Sequence, residues 1–126
     1  MTTFTTKSES IILDNSGIVK CCVHKGYYLE LEDAKENLNI IKELGNGKPL
    51  PVFVDIRYTK GGSKACRDYL ASSEAADIQT ACALLVESPL SRLIGNFFIG
   101  LNKTKFPTKL FTNEDEAMDW LLHFLK

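Results

Sequence analysis

Two short apolar runs, "PVFVDI" at 51–56 and "ACALLV" at 81–86, constrain the fold of this chain more than any other feature. A run of that length without alternation reads as a strand covered on both faces, the usual state of a parallel strand. Helices must then lie on the faces of one sheet, and the intervening segments supply them.

"SIILDNSGIVKCCVH" holds two β-rich runs around Asp14-Asn15-Ser16-Gly17, a hairpin in which Asn15 or Gly17 takes positive φ. After Gly26 the period changes. Leu31, Ala34, Leu38, Ile41 and Leu44 recur at three- and four-residue intervals before Gly45, which marks an amphipathic helix and its stop. Ser63 is a helix N-cap for "SKACRDYL", and "SSEAADI" ends that helix and begins a connection. Ser88-Pro89 opens a helix whose apolar stripe runs Leu90, Leu93, Ile94, Phe97, Phe98 and Leu101. "PTKLF" supplies a last strand, and Thr112 to Glu116 cap a final helix packed through Ala117, Trp120, Leu121, Phe124 and Leu125. The order is β-β-α-β-α-β-α-β-α. One α/β domain over 1–126 is expected, with a mixed, mostly parallel sheet, an N-terminal hairpin, and a loosely held start at 1–7.

Composition removes several functions. With 15 basic against 16 acidic side chains, the chain lacks the basic excess of a nucleic-acid binder. No apolar run approaches the roughly 20 residues that span a bilayer. "MTTFTTKSES" lacks the apolar core of a signal peptide, which leads us to expect a cytoplasmic protein. Cys21, Cys22, Cys66 and Cys82 form no C-x-x-C, and neither His24 nor His123 stands at metal-ligand spacing to them. Adjacent strand residues face opposite ways, so Cys21 and Cys22 are poor partners for each other. Four reduced packing cysteines and no metal or other cofactor are expected.

The phrases "LPVFVDIR", "ACALLVESPLSRLIGNFFIGLNK" and "PTKLFTNEDEAMDWL", in this order of elements, resemble the SpoIIAA-like or STAS fold of bacterial anti-sigma-factor antagonists. More closely, the chain is similar to small bacterial proteins of STAS/Sec14-like type. The resemblance extends from Ser10 onward and implies a non-enzymatic, regulatory protein-interaction module. In the antagonists, the loop after the strand matching "VFVDI" carries an acid, hydroxyl residues and a glycine, and a hydroxyl at the next helix start is phosphorylated. Here that stretch runs from Asp55 through Ile56, Arg57, Tyr58, Thr59, Lys60, Gly61 and Gly62 to Ser63, longer and more basic than the family motif. Ser63 is its nearest match by position and Thr59 the second.

The same corner has the parts of an anion site. Gly61 and Gly62 let amides turn outward, a helix starts near Ser63, and Arg57, Lys60 and Lys64 add charge. "KGGSK" lacks the spacing of a nucleotide-binding phosphate loop. Arg67 can reach Asp55 or a neighbouring helix, and Asp68 can answer Lys64. The surplus apolar surface at Phe97, Phe98, Ile99 and Leu101 suits core packing, a homodimer patch or a pocket wall. A carrier of a small apolar or anionic ligand, as the Sec14-like resemblance implies, is therefore the second reading. A thiol enzyme is the third, because Cys66 sits in the first turn of its helix, where a thiol pKa falls.

Overall fold

A computed structural model describes residues 3–87, 89, 91–93 and 104–125. The strands are β1 (Thr3–Thr5), β2 (Glu9–Leu13), β3 (Val19–Val23), β4 (Tyr28–Leu29), β5 (Leu50–Asp55), β6 (Gly61–Gly62), β7 (Gln79–Leu85) and β8 (Thr108–Phe111). The helices are α1 (Leu31–Leu44), α2 (Lys64–Leu70), α3 (Ser73–Ala76) and α4 (Glu114–Leu122). Residues 89 and 91–93 are also helical. Six strands make one sheet in the order β1-β2-β3-β5-β7-β8, antiparallel from β1 to β3 and parallel from β3 to β8. This is the α/β domain with an N-terminal hairpin that the apolar runs foretell.

The hairpin turn is organised by Asp14, whose carboxylate accepts from the Ser16 and Ile18 amides at 3.0 and 3.1 Å. Gly17 takes the positive φ, at 99°, where a β-branched residue would be strained. At the end of α1, Gly45 is required by space instead. A Cβ there would lie 2.2 Å from the Lys48 carbonyl oxygen.

Strand alternation sorts the core into two layers. Ile11, Cys21, Val23, Val52, Ile56, Cys82 and Leu84 pack in one layer with Leu38 and Ile41 of α1. Phe53, Ala81, Ala83 and Leu85 face the other way, against Ala117 and Leu121 of α4. Leu121 is fully buried, which is worth about 1.5–3 kcal/mol.

Four elements differ from the expected order. Residues 3–5, within the start expected to be loose, form an edge strand registered Thr3 to Ile12, with Phe4 packed on the core. Ser72 caps the one-turn helix α3 where only a connection was expected. β4 and β6 pair in parallel, Tyr28 with Gly61 and Leu29 with Gly62, as a separate two-stranded ribbon. Of the phenylalanine-rich helix, Leu93 is 64% exposed although its spacing puts it on the inner stripe. Phe97, Phe98, Ile99 and Leu101 lie outside the described residues, and with them the expected dimer patch or pocket wall.

Candidate functional site

The corner after β5 is tied inward. Asp55 shares its sheet face with Phe53, so its carboxylate stands on the α4 side and is gripped by Arg57. The guanidinium donates from Nε at 3.0 Å and from Nη2 at 2.8 Å, and the Arg57 amide adds a bond of 3.0 Å. That hydrogen-bonded pairing raises the Arg57 pKa further. Arg67, expected to reach Asp55 or a neighbouring helix, borders the opposite face of the sheet from the Asp55 carboxylate. Lys64 meets Asp68 at 2.8 Å, one helical turn on, as expected.

The glycine turn is engaged as well. The Lys60 and Ser63 amides donate to the Tyr27 and Leu29 carbonyls, both at 2.9 Å, and the Gly61 amide donates to the Thr59 hydroxyl at 3.2 Å. Thr59 is buried and donates to the Tyr27 carbonyl at 2.9 Å. Ser63 caps α2, accepting from the Cys66 amide at 3.1 Å. The Lys60 and Ser63 amides hold β6 to β4, and the Gly61 amide is taken by Thr59, instead of opening toward an anion. What remains outside is Tyr58, 48% exposed with the Arg57 guanidinium 5.4 Å from its ring centre, together with exposed Lys60 and Lys64.

The other face of the sheet holds a cavity of about 100 Å³. Its floor is Val52, Val54, Ile56, Cys82 and Leu84 of β5 and β7; α1 contributes Ala34, Leu38 and Ile41, and α2 contributes Cys66, Arg67 and Leu70. Phe106, Thr104 and Thr108 close one side, and Leu29, Thr59, Gly61 and Gly62 bring the corner to its edge. Val54 lies on β5, an inner strand between β3 and β7, yet it is only half-buried. Val54 is part of the cavity's lining.

One acidic side chain stands in this wall. Glu9 is 5% exposed, and the Cys21 thiol hydrogen-bonds its carboxyl. Burial pushes its pKa up to about 7, with Asp33 nearby adding to the rise. Burial likewise pushes Cys66 and Cys82 up to about 12 and Cys21 well above the ordinary thiol range. Cys66 is thus the reverse of an activated nucleophile, despite its place in the first turn of α2. Cys22, on the opposite face, is the exposed cysteine.

Of the residues expected in a binding or switch loop, the structure puts Thr59, Gly61, Gly62 and Arg67 at the cavity edge, whereas Glu9 was no candidate and Cys21 and Cys82 were expected only to pack. A signal for Glu9 existed: it has the same strand parity as Ile11 and Leu13, so an inward-facing Ile11 carries Glu9 inward too. Among the described residues no group of His, Cys, Asp and Glu is arranged to hold a metal ion, and no helix is long and apolar enough to cross a membrane.

This sheet order with helices on both faces is the SpoIIAA-like fold. It is shared with an uncharacterised protein of the DUF3478 family from Shewanella loihica PV-4, at TM-score 0.66 and 16% identity, covering 96% of this chain and 99% of that one. It is also shared with an anti-sigma factor antagonist from Mycobacterium paratuberculosis, at TM-score 0.60 and 18% identity, covering 95% and 92%. Residues 11–125 match the family described as domain of unknown function DUF7793, and the chain belongs to that family. No curated protein matches it.

Proposed function

We propose that this domain works in the cytoplasm by binding and not by chemistry, as a carrier or sensor of a small, largely apolar ligand held between the sheet and helices α1 and α2. The observation that carries this is the cavity itself. Interiors are normally close-packed, and at roughly 24 cal/mol per Å³ a void of about 100 Å³ costs ~2.4 kcal/mol. That is a large share of the stability of a domain this size, and a bound ligand offsets it. Engineered apolar cavities of about 150 Å³ bind benzene; this one is smaller, at about 100 Å³, but not fully enclosed, so a single ring is the upper bound on what it holds.

A second reading is a regulatory protein-interaction module like the antagonist that shares the fold. Tyr58 with Lys60 and Lys64 favours it, because an exposed aromatic among cations is a common anchor of protein contacts. In that version Ser63 is the switch residue, since Thr59 is buried and already bonded.

Weighing the untagged protein from its own cells, native and then denatured, separates the readings. A mass present only in the native state, and lost in Val54→Phe, is the result expected of a carrier. An identical bare mass in both states contradicts the carrier reading. A phosphate that survives denaturation and maps to Ser63 supports the regulatory switch.

A further inference from the structure

Resting on the cavity reading, we infer that Glu9 is the cavity's polar anchor. In its protonated form it donates a hydrogen bond to the acceptor oxygen of an uncharged apolar ligand, an ether, ketone or alcohol, and binding takes up a proton. Three observations carry this. Glu9 is almost wholly buried and is the one acidic side chain in a wall that is mainly apolar but also carries the neutral amides of Asn37 and Gln79, the kind of sparsely polar lining that orients small ligands. The Cys21 thiol stands against its carboxyl as a donor, which leaves the carboxyl's own proton uncommitted. A protonated carboxyl keeps one O–H to donate, and the thiol occupies only an accepting position.

Burial and the charge of Asp33 favour the neutral form of Glu9, and the donated Cys21 hydrogen bond works against it. From β3 it faces Cys21, and from α1 it faces Asp33, which accepts from the Tyr27 hydroxyl at 3.0 Å and the Glu30 amide at 2.9 Å. Lys7 is 3.9 Å from the Asp33 carboxylate, through an ammonium that is mostly solvated. From β7 and α2 come Cys82 and Cys66, both held as thiols, and Arg67 stands further along the wall, beside Cys66. With its pKa pushed up to about 7, the empty site exchanges its proton near neutrality. An apolar ligand beside the carboxyl lowers the local polarity further and drives it to its neutral form.

The test is calorimetric titration of the whole protein with toluene, anisole and benzylamine from about pH 5.5 to about pH 8.5. Anisole adds an acceptor oxygen to the ring, and benzylamine adds a cation. At the acid end anisole should bind roughly fivefold tighter than toluene, the worth of one added hydrogen bond. If only the protonated form binds, anisole affinity should fall roughly 30-fold across the range by proton linkage with a pKa of about 7. In Glu9→Gln, whose amide still donates, the preference for anisole should remain and the pH dependence should vanish. Affinity for toluene and anisole that is flat with pH, or tighter binding of benzylamine than of anisole, overturns the Glu9 inference and leaves the cavity reading standing. Binding of no probe at any pH overturns both.

Discussion

Adding a single methylene to Val54 tests whether the void under α1 and α2 is real, because the sign of the effect depends on it. In a close-packed interior an inserted methylene forces strain and costs ~1–3 kcal/mol. Val54 lines the cavity and remains half-buried on an inner strand, so Val54→Ile has space to enter and keeps the β-branch that suits a strand. Burying one more methylene should stabilise the domain by about 0.8 kcal/mol. The ceiling for any filling of the cavity is the ~2.4 kcal/mol that a void of about 100 Å³ costs. The control is Ala83→Val, at a fully buried position packed toward α4 and away from the cavity; it should destabilise by ~1–3 kcal/mol. Urea denaturation reads both as midpoint shifts at unchanged slope, and Val54→Ile should raise the melting temperature by roughly 3–5 °C. If Val54→Ile destabilises as much as Ala83→Val, the site is closely packed and the argument fails.

Three further outcomes follow from the same geometry. Glu9 has a folded pKa raised from 4.5 to about 7, so its contribution to stability is present below pH 4.5 and is lost as pH rises to about 7. The stability of Glu9→Gln relative to wild type should therefore grow by about 3 kcal/mol over that window, measured by denaturation at pH 4.5 and 8; parallel curves would contradict the buried, neutral carboxyl. Under native labelling with iodoacetamide, Cys22 should react first, because Cys21, Cys66 and Cys82 are buried; mapping by mass that found Cys66 ahead would revive the thiol enzyme. Asp55→Ala should cost about 2 kcal/mol, since it strips Arg57 of its paired acceptor and the turn of an amide bond; a neutral effect would show that the corner is held by β4 and β6 alone.

The parts of this fold legible in the sequence are those with periodicity or a strong stop. The runs at 51–56 and 81–86 became β5 and β7, the Asp14–Gly17 turn became the hairpin, and Ser63 became the cap of α2. The β4–β6 ribbon was not legible, because two residues on each side carry no period. Yet that ribbon shapes the corner: its backbone bonds take the Lys60 and Ser63 amides on either side of the two glycines, and Thr59 takes the amide of Gly61. The choice of Arg57 over Arg67 was equally invisible from spacing, because it depends on which face of the sheet Asp55 occupies. The cavity is a failure of packing between elements that each look well formed, and local sequence cannot register such a failure.

A crystal structure solved under xenon pressure probes the space beneath α1 and α2 itself, since xenon enters dry apolar voids. An ordered xenon atom bounded by Val54, Leu84, Leu38 and Cys66, and absent from Val54→Phe, is the predicted result. A floor closed over by those side chains, with no gas between them, would contradict it.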